Sequence, residues 1–371
     1  MTVFSKIFHL DWASIHSGES SPPLCLMLAP LSLLYGFGAG LRLKIALKKK
    51  REKLPGFVVS IGNLTTGGTG KTPAVQWLAE WARGEGFRAA VLSRGYGGRH
   101  GSSVLVVSDG KTVFAGPDAA GDEPYLLAKN LRGIPVLTAK KRYQAGLLAH
   151  RKYGCDFFIL DDGFQHLTLQ RDLDLVLMDA VKPFGNGRLL PRGPLREPIN
   201  HLTRADVFVI TRSHEGVADK RLSDLLPTGF PHKPLFRSTH QPRAVVFPHS
   251  DQVFGPEFMK GKRVVAFAGI ARPDVFKETL TELGADILLF KRFRDHHNFS
   301  EQDLFGLAGQ KETLGADCLI TTEKDWVRAE KILSHHSDAA YLTISFSLSP
   351  SPDAFLKMVK NVSRQATGLD R

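Results

Sequence analysis

The stretch GFVVSIGNLTTGGTGKTP, residues 56–73, decides the fold. Its first part, Gly56 to Ile61, is an apolar run rich in β-branched residues and predicts a strand buried on both faces. Lys71 to Arg83 has the periodicity of a helix, and Pro73 is tolerated because the first helical turn does not use its N–H. Between strand and helix lie Thr65, Thr66, Gly67, Gly68, Thr69, Gly70, Lys71 and Thr72. Gly67, Gly68 and Gly70 lack a Cβ, so backbone N–H groups can turn inward around phosphate oxygens. The helix adds its positive dipole end. In such a loop Lys71 reaches the β- and γ-phosphates of a nucleotide, and Thr72 offers a hydroxyl to Mg²⁺. The strict G-x-x-x-x-G-K-[ST] pattern has glycine where Thr65 stands. The bland alternative is an ordinary glycine-rich turn. The strand directly before and the helix directly after favour the phosphate loop.

Such a loop needs acidic support for the metal, and FFILDDGFQH (157–166) supplies it. Four apolar residues lead into Asp161 and Asp162 at the C-terminal end of a predicted strand, where α/β sheets bind ligands. One carboxylate can hold Mg²⁺ directly and the other through water. Taken alone, the same residues read equally as a capped turn after a strand.

Outward from these segments, apolar runs alternate with helical ones. Strands are predicted at 87–92, 104–107, 134–137, 157–160, 174–178 and 206–210. After Pro227 to Pro248, a proline-containing break with no long helical pattern, further strands are predicted at 263–268, 286–290, 318–321 and 340–345, with a helix at 273–283. Short apolar strands alternating with helices predict an α/β fold of the phosphate-loop NTPase kind, a mostly parallel sheet covered on both faces. Three regions are expected: an N-terminal membrane-associated helix with a basic flank (1–53), a nucleotide-binding domain (54–200) and a second, smaller α/β domain (201–371). Gly185 to Pro198, GNGRLLPRGPLREP, interrupts the pattern as a long loop rich in Gly, Pro and Arg.

The chain has 371 residues and is 43% hydrophobic, enough for a sizeable core. A formal net charge of +12 favours anionic partners: nucleotides, nucleic acid or acidic lipids. Cys25, Cys155 and Cys318 are far apart and form no CxxC pair, which argues against a disulfide framework or a zinc site. From Leu24 to Leu41 the chain carries no charge, and Arg42, Lys44, Lys48, Lys49, Lys50, Arg51 and Lys53 follow, against the single acid Glu52. A cleaved signal peptide has its basic residues before the apolar run, the reverse of this order. A transmembrane helix, a helix lying in the membrane interface and a buried core helix remain, with Pro30, Gly36, Gly38 and Gly40 weighing against a simple span. Both membrane readings place the basic flank on the cytoplasmic side. The basic charge gathers beside an apolar run rather than beside interleaved aromatics, so nucleic acid is not an expected partner.

The motifs together resemble the tetraacyldisaccharide 4'-kinase family, the lipid A 4'-kinases of the bacterial inner membrane. The matching segments are SIGNLTTGGTGKTP (60–73), SRGYGG (93–98), GDEPYLLA (121–128), LDDGFQH (160–166), GRLLPRGPLREP (187–198), FAGIARP (267–273), RDHHNF (294–299) and TTEKDW (321–326). They run through most of the chain in order, and threonine in place of the first loop glycine is the family's own form. The resemblance implies an ATP- and Mg²⁺-dependent kinase that phosphorylates the 4'-hydroxyl of a lipid A disaccharide 1-phosphate. It also implies attachment to the cytoplasmic face of the inner membrane, with no protein partner called for.

By this resemblance Asp122 is the candidate base for the acceptor hydroxyl and His296 its partner, with Lys71 as the third catalytic candidate. A carboxylate–imidazole pair suits the task, since each adjusts the protonation of the other. Read without the family, Gly-Asp-Glu-Pro is a good helix start with Asp122 as N-cap, and His296 and His297 are ordinary surface residues. Arg192 and Arg196 suit phosphate oxygens, as does Arg94 in SRGYGG, and a solvated basic loop is the alternative for each. Lys324 and Asp325 in TTEKDW are open between a structural role and a nucleotide contact. The competing function is a membrane-associated ATPase switch, which accounts for the phosphate loop and paired aspartates but not for GDEP, RDHH or the Gly-Pro-Arg loop.

Overall fold

The computed structural model describes residues 15–16, 22–99, 103–213, 222, 226, 228–349 and 351–367. The chain clusters into two compact units, neither continuous in sequence. The first comprises residues up to Lys71, Asp162–Thr239 and Leu348 onward; the second comprises Thr72–Asp161 and His240–Ser347.

The first unit begins with helix α1 (Pro22–Lys48), which contains Pro30. Its sheet runs β1 (Phe57–Gly62), β6 (Leu173–Asp179), β7 (Val207–Thr211) and the opening residues of β8 (Leu235–Phe247), all parallel. Every residue of β1, β6 and β7 is buried. That is why these segments read as continuous apolar runs and not as alternating ones. The core between this sheet and its covering segments contains Phe164, Val176, Met178, Phe208 and Ile210. The C-terminal helix α8 (Asp353–Thr367) belongs to the same unit, with Phe355 packed edge-on to Phe236 of β8.

The second unit holds two strand groups. One is β5 (Phe157–Asp161), β2 (Ala89–Ser93), β4 (Val136–Ala139) and β3 (Val104–Ser108), parallel except for β3 at the edge. The other is β11 (Asp286–Arg292), β10 (Arg263–Ala268), β12 (Cys318–Thr322) and β13 (Ala339–Ser349), all parallel. Helices α2 (Lys71–Gly84), α3 (Asp122–Asn130) and α4 (Arg142–Tyr153) accompany the first group. Helices α5 (Pro273–Glu282), α6 (Glu301–Leu314) and α7 (Glu323–Leu333) accompany the second. The groups join where α3 packs on α7.

The α/β fold with a mostly parallel sheet is as expected, and each predicted strand lies within a few residues of an observed one. The break expected at 227–248 is instead mostly strand: β8 covers thirteen of those residues. The composition LFRSTHQPRAVVF hid it. Pro242 has no N–H to give a ladder, yet it lies between the residues paired with β7 (235–238) and those paired with β9 (Gln252–Phe254). Around it, the hydroxyls of Ser345 and Thr343 on β13 donate to the carbonyls of Gln241 and Ala244.

Candidate active site

The first unit builds a phosphate-loop cluster. Strand β1 ends at Gly62, and the loop turns on Gly67 and Gly70, both at positive φ (111° and 80°). A Cβ added to Gly67 would meet nothing within 4 Å, so the loop's face is open there. Lys71 is mostly buried and its ammonium donates to Asn63 Oδ1 at 3.1 Å. It lies 3.5 Å from Asp162 Oδ1. Nη1 of Arg196 bonds both oxygens of the same carboxylate, at 2.9 and 2.7 Å. Asp162 adopts φ 50°, an uncommon conformation for a residue with a side chain. It thus carries two cations on a turn tied back to β1 through Gly163 N–H and Ile61 C=O.

The Gly-Pro-Arg loop straps the phosphate loop. Thr66 N–H donates to Pro194 C=O at 2.7 Å and Arg196 N–H to Leu64 C=O at 2.8 Å. Thr65 is buried and forms an antiparallel bridge with Leu195. Arg192 is half-exposed, and its carbonyl accepts from Asn186. From the other side Arg212 donates through Nη2 to Gly68 C=O at 2.7 Å and through Nε to Asp179 at 2.8 Å. Helix α1 meets the same strap. Ser32 donates to Leu189 C=O at 2.8 Å, and Tyr35 donates to Arg196 C=O at 2.9 Å.

Thr72, the second residue of α2, carries a hydroxyl, and Asp161 and Asp162 carry carboxylates, oxygen donors of the kind Mg²⁺ prefers. Asp161 is buried and accepts from Ser93 at 3.0 Å, while its carbonyl accepts from Arg142. Among the described residues no group of three or more His, Cys, Asp or Glu could hold a metal by itself.

The second unit builds a different cluster, and five of the motifs meet in it. His296 Nδ1 lies 3.3 Å from Asp122 Oδ2. Asp122 is not the N-cap of α3; the cap is Gly121 at φ 90°, and Asp122 is the first helical residue. A Cβ at Gly121 would lie 2.4 Å from the carbonyl oxygen of Tyr96, so the SRGYGG turn is packed on the start of this helix. His296 adopts φ 58°, its N–H held by Gly269 C=O at 3.1 Å. His297 turns elsewhere, to Asp303 at 3.1 Å and onto the Phe293 ring. Lys324 reaches Glu123 at 2.9 Å and His296 Nε2 at 3.5 Å. Burial pushes the Asp122 carboxyl up. The hydrogen bond from His296 and the charges of Arg328 and Lys324 outweigh that and hold it below the usual carboxylate range.

TTEKDW is structural at Asp325, which is fully buried, accepts from Gly269 N–H at 3.0 Å and pairs with Arg328. Arg94 is exposed. Sequence reasoning missed Asn63, Asp179, Arg212 and Arg328. Asp162, Arg212 and His296 are three of the four non-glycine residues at positive φ among the described residues, a backbone signal that sequence does not carry and that clusters at functional sites.

Residues 24–364 match the family model described as Tetraacyldisaccharide-1-P 4'-kinase. The chain is 39% identical over 349 residues to the tetraacyldisaccharide 4'-kinase of Syntrophus aciditrophicus (strain SB), covering 91% of this chain and 93% of that one. It is 40% identical over 364 residues to the tetraacyldisaccharide 4'-kinase of Anaeromyxobacter sp. (strain Fw109-5), covering 94% and 97%. A crystal structure of the "apo" form of LpxK from Aquifex aeolicus in complex with ATP superposes with a TM-score of 0.75 at 31% identity, covering 92% of this chain and 99% of that one. By sequence along nearly its whole length, and by fold, the chain belongs to the tetraacyldisaccharide-1-P 4'-kinase family.

Proposed function

We propose that this chain transfers the γ-phosphate of ATP to the 4'-hydroxyl of a tetraacyldisaccharide 1-phosphate in lipid A biosynthesis. The observation that carries the reading is the Asp122–His296 pair at 3.3 Å, in a chain of this family. Phosphoryl transfer to an alcohol releases the hydroxyl proton, and a carboxylate–imidazole pair can accept it.

In the reaction, the loop from Thr65 to Thr72 cradles the nucleotide phosphates with its backbone N–H groups. Lys71 and Arg196, both seated on Asp162, place positive charge where the transferred group develops negative charge. Thr72, Asp161 and Asp162 would hold Mg²⁺, which when bound would neutralise charge on the nucleotide phosphates. Asp122, ionised at neutral pH, takes the proton of the acceptor hydroxyl. His296 holds the carboxylate and shares the proton's charge. Arg94 and Arg192 offer further positive charge to phosphate oxygens of either substrate.

The acceptor carries acyl chains, so it arrives from a lipid surface. Helix α1 is long and apolar enough to cross a membrane, with mean hydropathy 1.4 and little of it buried. Leu26, Met27, Leu33 and Phe37 are each more than two-thirds exposed. An apolar helix this exposed, followed by Lys48, Lys49, Lys50 and Arg51, fits the cytoplasmic face of the inner membrane. No protein partner is needed for this activity. With ATP and Mg²⁺, detergent-solubilised protein is expected to convert the disaccharide 1-phosphate to a bisphosphate, identified by mass spectrometry. Folded protein that binds ATP and leaves the disaccharide unchanged would overturn the reading.

A further inference from the structure

We propose that Arg328 is a positioning residue of the Asp122–His296 pair, set beside the Asp122 carboxylate by the buried Asp325 and fixing which of its oxygens meets the acceptor hydroxyl. The inference rests on the kinase reading above. Arg328 and Asp325 are one helical turn apart on α7, on the same face. Their side chains are 4% and 0% exposed. Asp325 is tied down first: Oδ2 accepts from Gly269 N–H at 3.0 Å and from the Thr322 hydroxyl at 2.7 Å. Arg328 then pairs with Asp325, donates to Gly269 C=O at 3.0 Å and lies over the Phe299 ring at 5.5 Å. A guanidinium held on these sides keeps one orientation, which an exposed arginine does not.

A purely architectural pair would be complete there. Instead Nε of Arg328 lies 3.6 Å from Asp122 Oδ2, the same oxygen that His296 Nδ1 approaches. Neither contact uses Oδ1, so the two partners leave that oxygen to the hydroxyl proton. The charged groups facing Asp122 are His296 from the loop after β11, and Lys324 and Arg328 from α7. Lys324 is answered by Glu123 at 2.9 Å and by Asp295 nearby. Arg328 therefore supplies a fixed positive charge whose loss raises the proton affinity of Asp122.

Removing Arg328 alone would strand the buried Asp325, so the informative variants are Asp325→Asn/Arg328→Gln, which removes both charges together, and Arg328→Lys. Each is assayed as full-length protein in detergent for kcat against pH, ATP binding by calorimetry and thermal melting. The double variant should bind ATP like the wild type and lose about tenfold or more in kcat at neutral pH, a part of the roughly hundredfold or greater contribution of a general base. The acid limb of its profile should move to higher pH. A folded double variant whose acid limb coincides with that of the wild type overturns the proposal, whatever its kcat. Where the double variant does not fold, Arg328→Lys decides. It keeps the charge but cannot span Gly269, Asp325 and Asp122 together, so kcat should fall with ATP binding intact; a wild-type kcat overturns the proposal. Wild-type protein that phosphorylates no disaccharide overturns the kinase reading instead.

Discussion

Asp162, Arg212 and His296 each hold a backbone conformation that side chains disfavour. Each is kept there by contacts that serve a charged group: Asp162 carries Lys71 and Arg196, Arg212 bridges Asp179 and the loop carbonyl of Gly68, and His296 meets Asp122. Arg212 gives the sharpest residue-scale prediction. A hydrogen bond from a charged donor contributes about 1.5–3 kcal/mol. Arg212→Ala should therefore raise the KM for ATP roughly tenfold or more with little change in kcat, since it supports the loop and does not touch the reacting hydroxyl. Steady-state kinetics with varied ATP checks this, and a lowered kcat at unchanged KM would place Arg212 in the chemistry instead. The placement of Lys71, Thr72 and the aspartate pair was legible in the sequence because it follows from spacing to a strand and a helix. Arg212 and Arg328 were not, because a lone arginine has no spacing signature and its partners lie up to about two hundred positions away.

At the scale of elements, the parallel strands were legible because burial on both faces leaves an unbroken apolar run, as in β1 and β7. β8 was illegible for the converse reason: its exposure varies along its length and a proline lies inside it. The start of α3 shows a subtler limit. Gly-Asp-Glu-Pro reads as an Asp-capped helix, yet Gly121 takes the cap because the Tyr96 carbonyl leaves no room for a Cβ, and Asp122 is released for His296. A related close approach fixes the end of β1. A Cβ at Gly62 would lie 2.5 Å from Phe164 Cβ and 2.8 Å from Phe164 N. Gly62→Ala must displace backbone in the turn that carries Asp162, and should destabilise the protein by about 1–3 kcal/mol. A urea-unfolding midpoint equal to that of the wild type would show that the turn yields freely.

At the scale of the whole molecule, one unit carries the apolar helix and the phosphate-loop cluster, and the other carries the Asp122–His296 pair. The apolar helix and its basic flank were legible from charge order alone. Its hydrogen bonds to the strap over the phosphate loop were not, since Ser32 and Tyr35 are unremarkable within an apolar run. Deleting residues 1–41 should release the protein from membranes into the soluble fraction on flotation. Persistent flotation at physiological salt would assign membrane attachment to another surface. In a chain of this family the phosphate goes to a lipid alcohol and not to water. The most direct test follows the label of γ-³²P-ATP in the presence of tetraacyldisaccharide 1-phosphate, with wild type and Asp122→Ala side by side. Label is expected in the lipid with the wild type, with a loss of about a hundredfold or more for Asp122→Ala at unchanged ATP binding. Label released only as inorganic phosphate, or equal lipid labelling by both proteins, would contradict it.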